Sequence, residues 1–525
     1  MKKTHEMNLE TAGSKPRYEI LDGLRGVAAV IVVMFHLLET YSRGVPYQIL
    51  NHGYLAVDFF FVLSGFVVGY AYDSRWSNGL TFGNFCKRRI IRLQPMLVFG
   101  TLVGALLFFM QGDHPDFSMI KETPWWIVIL LMVWGGTVLP IPKAWDIRGW
   151  SEFNPLNGAT WSLLWEYLAN LLYGLFLHRL RMRTLVVLSA IAALLVVNVC
   201  LNIDIFGVLA VRDYAAYTMI GGWSLSPDQL LIGFSRLAYP FLIGLVISRV
   251  ARMKIHVARH GFIWCTILLA MILVAPRVGG AEPSNYWMNG TYEIIAILLL
   301  FPLIIMMGRG STVAGEKYES LCRFLGDISY PLYVTHYPII YVQMSWAASH
   351  KDAPASQHIF MGCCFFVIAI GLAYASMKLY DMPVREWLTN KFMRKKKMRI
   401  EHCAIWVRDI ERTREFFEAY FMAEAGARYD NAKGFSSYFL SLPDGGCRVE
   451  IMTHKGLSRE DVTDGPKTGC GHIAISVGSE KGVDELTGRL TMAGYSLVSG
   501  PRVTGDGYYE SCFCIDNDFM LELTV

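Results

Sequence analysis

Long apolar runs recur through the first part of this chain, broken by short charged clusters, and after residue 397 they give way to short alternating segments. A hydrocarbon core of about 30 Å takes roughly 20 helical residues, so runs of that length predict membrane-spanning helices. They fall near residues 24–41, 54–72, 95–110, 124–140, 160–177, 184–201, 229–248, 261–275, 293–307, 331–347 and 360–379. Period-two alternation between turn residues predicts instead a water-soluble α+β domain. The expected organisation is a polar tail over 1–17, a polytopic helical membrane bundle over 18–390, a basic linker over 391–397 and a soluble domain over 398–525. Met398 opens that last domain as an independent start would, which leaves open a simple join of two unrelated halves.

Charge orders the spans. The basic segments are the N-terminal tail, Lys87-Arg88-Arg89, His178–Arg181, Arg249–Arg259, Gly308–Arg323 and Arg394–Lys397. Loops rich in Lys and Arg stay on the cytoplasmic side. Both termini are therefore expected in the cytoplasm, and residues 111–159 outside. The segment Pro124–Pro140 then re-enters or lies in the interface, and about ten true spans of an inner-membrane protein remain, or eleven where that segment crosses. Composition changes this little: hydrophobic residues make up 53% and charged residues 18%. The net charge of +4 resides in those clusters and does not point to nucleic acid. Eleven cysteines without a CxxC pair suit a reducing compartment, with Cys512 and Cys514 on one face of a predicted strand.

Polar residues inside the apolar runs carry the candidate chemistry, because an ionised side chain at mid-bilayer costs about 2.5–3.5 kcal/mol. In the first run Arg25 and His36 are eleven residues apart, which returns them to one helix face with about 16 Å between them. Both are expected to look into the same bundle interior, Arg25 near the cytoplasmic mouth and His36 near the bilayer centre. The second run carries Asp58, and its Gly65 and Gly69 form a face for close helix contact. Arg88, Arg89 and Arg92 share a helix side, a fork that suits phosphate groups and serves equally as a topology signal. Ser162, Glu166 and Asn170 form one polar stripe. His336, in a late run, fits a helix-packing contact as well as a direct role.

Five of these elements occur in a fixed order over residues 18 to 390: Asp22–Arg25 with ten residues before His36, Asp58–Phe66, Arg88–Arg92, Trp161–Glu166 and Ser329–His336. Together they resemble the membrane acyltransferase-3 family, whose members O-acylate carbohydrates and other exported molecules. The resemblance implies an acyl-CoA donor, usually acetyl-CoA, and a hydroxyl of a carbohydrate or glycolipid as acceptor. It makes His36 the general base, a role that suits a neutral imidazole, or else a transient acyl carrier. Arg25 and Glu166 would be its catalytic partners, Glu166 orienting His36 or bonding a sugar, and Arg88, Arg89 and Arg92 would hold the CoA phosphates. Asp58, Trp161, Ser162 and His336 are further candidates. Intramembrane charges alone would equally allow a proton-coupled transporter or flippase.

The soluble part repeats itself. Ile400–Val407 matches Cys470–Val477, and each copy runs through a predicted helix to closing strands at Arg448–Met452 and Met520–Thr524. His402 and Glu450 are 48 positions apart, His472 and Glu522 50. Strand alternation puts each pair on the inward face of a curved sheet. The two pairs are expected around one centre, a nitrogen and oxygen set suited to divalent Ni, Zn, Co, Mn or Fe. Over Met398–Val525 the pattern resembles the vicinal-oxygen-chelate fold of two βαβββ modules, and glyoxalase-I-like proteins within it. Asp516–Phe519 departs from that group's usual Pro- and Gly-containing turn. The resemblance implies a metal-binding domain with a lyase- or isomerase-type activity or a regulatory role, and a homodimer formed through it.

Overall fold

The computed structural model describes residues 17–393 and 402–525, apart from 43, 113–118, 251, 258–259, 314, 444, 458–471 and 505–507. The polar tail before residue 17 and the basic seam with Met398 lie outside the described residues. The chain divides into two compact units, Met1–Arg394 and Lys395–Val525.

Apolar runs have become helices throughout the first unit. They are α1 (Glu19–Glu39), α2 (Ala56–Ser77), α3 (Phe82–Leu107), α4 (Trp125–Gly135), α5 (Trp161–Leu175), α6 (Met182–Cys200) and α7 (Pro227–Arg249). There follow α8 (Gly261–Val274), α9 (Tyr286–Ile295), α10 (Phe301–Gly310), α11 (Glu316–Ser349), α12 (Ala355–Ser376) and α13 (Met382–Phe392). Single π-turns at Ala296–Leu300 and Met377–Asp381 join α9 to α10 and α12 to α13. Among the described residues seven helical segments are long and apolar enough to cross a membrane. This is an integral membrane protein.

The difference from ten expected spans has particular causes. Helices α5 and α8 have only 15 and 14 residues. Helix α11 has 34, but buries Ser329, Thr335, His336 and Gln343 among protein side chains instead of presenting an apolar surface. Helix α4 has 11 residues, which rise about 16 Å, half a hydrocarbon core. It is too short to cross.

Close approach and ion pairing hold the bundle. Helix α2 packs on α7 along the predicted glycine face: a Cβ on Gly65 would collide with the Phe241 carbonyl, and one on Gly69 with the Ser248 hydroxyl. The same two helices share a buried ion pair, Arg236 Nη2 to Asp58 Oδ2 at 2.7 Å, with the side chains 1% and 0% exposed. Arg236 also donates to the carbonyls of Tyr54 (2.7 Å) and Gly221 (3.1 Å). Asp58 therefore braces helices. A second buried chain, which the sequence did not suggest, runs from His52 through Asn289 to Glu293. Glu293 accepts in turn from the Tyr54 hydroxyl and the Met219 amide.

The second unit is two copies of one βαβββ design. The first has β1 (His402–Trp406), α14 (Ile410–Phe421), β2 (Glu424–Ala425), β3 (Tyr429–Asp430), β4 (Phe435–Ser441) and β5 (Arg448–His454). The second has β6 (Ile473–Ser476), α15 (Glu480–Met492), β7 (Ser496–Val503), β8 (Tyr509–Ile515) and β9 (Phe519–Thr524). The strand orders are β1-β5-β4-β2, with the short β3 also on β4, and β6-β9-β8-β7. In each copy the first strand runs parallel to the last. Asp409 and Ser479 cap the two helices by accepting from backbone amides of the first turn. The copies share one apolar core, in which Phe417 stacks on Phe519 with centroids 6.0 Å apart.

Overpacking a close helix contact costs about 1–3 kcal/mol, and removing one partner of a buried ion pair about 3–5 kcal/mol. Gly65→Val and Asp58→Ala are each expected to lower the melting temperature of the detergent-solubilised protein, Asp58→Ala by more. Gly362→Ala, whose Cβ would meet open space, is expected to leave it unchanged.

Candidate functional site

His36 sits near the end of α1, and its ring is fixed from its own helix. Nδ1 lies 2.8 Å from Glu39 Oε2, three residues on, where helix geometry makes side chains neighbours. A carboxylate at Nδ1 takes the N–H there and leaves the Nε2 lone pair available. Tyr337 meets the imidazole edge-on at 4.7 Å between centroids, and the His336 ring lies at 5.5 Å. His36 and Glu39 face a cavity of about 460 Å³ that is also lined by Glu152, Trp161, Trp223 and Arg236. Glu152, on the segment between α4 and α5, accepts from the Tyr341 hydroxyl at 2.8 Å. Burial pushes its carboxyl up to about 7.

Arg25, three turns before His36 on α1, faces a different space. A cavity of about 230 Å³ is lined by Arg25, Arg89, Arg92, Ser162 and Glu166 together with an apolar wall from α2. Arg25 is held by Ser329 Oγ and the Gly326 carbonyl, both at 2.7 Å, and lies 3.4 Å from Asp22. Arg89 Nη2 bonds Glu166 Oε1 at 2.8 Å, and that carboxylate also accepts from Ser64 (2.7 Å) and Asn170 (3.1 Å). Val57 and Tyr333 line both cavities. The Tyr333 hydroxyl lies 2.7 Å from Ser162 Oγ.

Several expected placements change. Arg25 and His36 share a helix face but line different cavities, whose linings have Tyr333 of α11 and Val57 of α2 in common. Glu166 does not reach His36; it is spent on Arg89. Glu39 is the orienting carboxylate that the sequence reading missed, although its three-residue spacing from His36 was the available signal. Arg88 is exposed and absent from the cavity lining, so the fork is Arg89 and Arg92 with Arg25 joining from α1. Trp161 lines the His36 chamber, beneath the Arg236 guanidinium at 5.0 Å, while the next residue, Ser162, lines the other. His336 lines neither. Its Nδ1 donates to the Tyr333 carbonyl at 2.8 Å, a contact within its own helix.

In the second unit the register places His402 and Glu450 on one face of β1 and β5, with Nε2 to Oε2 at 3.5 Å. His472 and Glu522 repeat this beside β6 and β9 at 3.2 Å. Each pair offers an imidazole nitrogen and a carboxylate oxygen turned toward each other, which is suitable donor chemistry for a divalent cation. Two donors fall short of the three or four protein ligands usual in such sites. Among the described residues no group of three or more His, Cys, Asp or Glu converges. The four residues expected around a single centre thus stand as two separate pairs in this chain. Cys512 stands opposite Glu522 in the ladder. The sequence reading also missed Cys403 and Cys447, whose sulfurs lie 3.7 Å apart.

Comparison with known proteins accounts for both units. Residues 18–378 match the acyltransferase domain family Acyl_transf_3, and residues 401–513 the Glyoxalase/Bleomycin resistance protein/Dioxygenase superfamily. The chain belongs to the acyltransferase-3 family, with a C-terminal domain of the glyoxalase type fused to it. It is 27% identical over 335 residues to O-acetyltransferase OatA of Staphylococcus aureus, covering 62% of this chain and 51% of the relative. It is 22% identical over 350 residues to peptidoglycan O-acetyltransferase OatA of Listeria monocytogenes, covering 64% of this chain and 51% of the relative. The chain thus spans about half the length of these curated relatives. Protein 2 in picA locus of Rhizobium radiobacter is 32% identical over 182 residues, covering 34% of this chain and 91% of that protein. Among solved structures, a glyoxylase/bleomycin resistance protein/dioxygenase domain from Frankia sp. EAN1pec covers 24% of this chain and 97% of its own at 20% identity and TM-score 0.22. Glyoxalase I from Zea mays covers 24% of this chain and 44% of its own at 22% identity and TM-score 0.21.

Proposed function

We propose that the membrane unit moves an acyl group, normally acetyl, from the thioester of acyl-CoA to a hydroxyl of a carbohydrate or glycolipid. The observation that carries this reading is the pair of cavities with a shared wall, guanidiniums in one and the His36–Glu39 pair in the other. Arg25, Arg89 and Arg92 supply cationic donors for the CoA phosphates. On this reading that end, and both termini, face the cytoplasm, the side on which loops rich in Lys and Arg stay. The His36 chamber offers the flat faces of Trp161 and Trp223 beside the carboxylates of Glu39 and Glu152, surfaces for a sugar's apolar ring face and its hydroxyls.

In the reaction, His36 Nε2 takes the acceptor's hydroxyl proton while Glu39 holds Nδ1–H and balances the imidazolium charge. The acceptor oxygen bonds to the thioester carbonyl carbon. Collapse of the tetrahedral intermediate breaks the carbon–sulfur bond, and the sulfur leaves as free CoA thiol with the proton returned by His36. The products are an O-acyl ester and CoA. A transporter needs a continuous polar path, whereas Arg25 and His36 occupy separate chambers.

The tail binds a divalent cation, Ni, Zn, Co, Mn or Fe, once two copies meet, with His402 and Glu450 of one facing His472 and Glu522 of the other. The metal would supply Lewis acidity to an oxygen-bearing ligand. Two side chains from each copy would hold and orient it.

Purified protein with labelled acetyl-CoA and a carbohydrate acceptor tests the first reading. His36→Ala is expected to lower kcat by about 10²–10⁴-fold with the donor KM nearly unchanged. Arg92→Ala is expected to raise the donor KM by about tenfold or more, the scale of one charged hydrogen bond. A wild-type rate in His36→Ala would remove the proposed base. For the tail, elemental analysis of the full chain is expected to find metal in the dimer, lost together with the dimer in His402→Ala and in His472→Ala. A monomer that holds metal, or a dimer that binds none of these ions, would contradict the shared site.

A further inference from the structure

The acyltransferase reading leaves one step of geometry unassigned: how the acyl group passes from the arginine-lined chamber to the one containing His36. We propose that Val57 and Tyr333 form a throat between the chambers, and that its width selects short acyl chains over long ones. The inference rests on the acyltransferase reading given above.

Val57 of α2 and Tyr333 of α11 line both chambers, so they are the shared wall. Hydrogen bonds fix the Tyr333 side chain there. Tyr333 OH lies 2.7 Å from Ser162 Oγ in the first turn of α5 and donates to the carbonyl of Ala159, just before that helix, at 3.1 Å. The Phe60 ring backs Tyr333 edge-on at 5.6 Å. One turn further along α11, Tyr337 touches the His36 imidazole. The aromatic ring that closes the donor chamber therefore stands within a helical turn of the one that contacts the base.

Transfer requires the thioester carbonyl carbon at this wall, within reach of an acceptor hydroxyl activated by His36. With the phosphates held by Arg25, Arg89 and Arg92, the donor arrives acyl end first. Every carbon beyond the carbonyl must then project through the throat into the acceptor chamber or fold back into the donor chamber of about 230 Å³. An acetyl group adds a single methyl. An octanoyl chain meets the Tyr333 ring and the acceptor itself. Hydrophobic pockets discriminate about 10–200-fold per added methylene, so one bulky ring is enough to set a chain-length preference. Tyr333 and Val57 act here as specificity-determining residues, and His36 remains the base.

The test uses the full-length protein in detergent with acetyl-CoA and octanoyl-CoA, measuring kcat/KM for each. Wild type is expected to favour acetyl. Tyr333→Ala is expected to raise the octanoyl-to-acetyl ratio by about tenfold or more and to increase thioester hydrolysis without acceptor, because water now reaches the carbonyl. Tyr333→Phe keeps the ring and is expected to keep the ratio within about twofold of wild type. Val57→Ala, a smaller change that preserves packing better, is expected to raise the ratio severalfold and covers the case in which Tyr333→Ala does not fold. Acetyl turnover with an unchanged ratio in Val57→Ala and in folded Tyr333→Ala overturns the throat and leaves the acyltransferase reading standing. A wild type that consumes no thioester overturns that reading, and the throat with it.

Discussion

Lipid cannot solvate charge, and three pairings inside the membrane unit follow from that. Asp58 answers Arg236, Glu166 answers Arg89, and Glu39 answers His36. Each pair joins or stiffens particular helices, so the groups that chemistry needs also tie the bundle together. For the fully buried Asp58–Arg236 pair, removing either member would leave an uncompensated charge where water cannot reach it. The same constraint turns α11 inward: its buried Ser329, Thr335 and His336 form an interior strut alongside α1. That strut carries Tyr333, and through it the division of the interior into two chambers.

The tail answers a different solvent. Its hydrophobic residues alternate, two sheets bury them in a shared core, and the faces that bear His402–Glu450 and His472–Glu522 remain accessible, with the two histidines 39% and 52% exposed. Duplication explains why both pairs have the same geometry. It does not bring them together: among the described residues the two pairs form no common group of three or more His, Cys, Asp or Glu.

Apolar length and period made the helices legible in the sequence, and the repeat made the βαβββ modules legible. Helical periodicity also put Arg25 and His36 correctly on one face. What stayed hidden depends on contacts between distant segments. Tyr333 separates two residues of α1 from some 300 positions away, and no local pattern announces such a partition. The family resemblance offers Glu166 either to His36 or to a sugar, but a carboxylate takes the nearest cation, and α3 brings Arg89 closer. Glu39, three residues from His36, is local and readable. Strand alternation gave the face of each His and Glu in the tail, while the distance between faces depends on how the two sheets pack.

The central claim is that donor and acceptor meet at a shared wall from opposite chambers. Sealed vesicles containing the protein in one orientation test it most directly, with labelled acetyl-CoA confined to the face carrying Arg89 and Arg92 and a carbohydrate acceptor to the other. The account predicts labelled ester on the acceptor only when the two substrates are on opposite faces. Ester formed only when both are on the same face would contradict it.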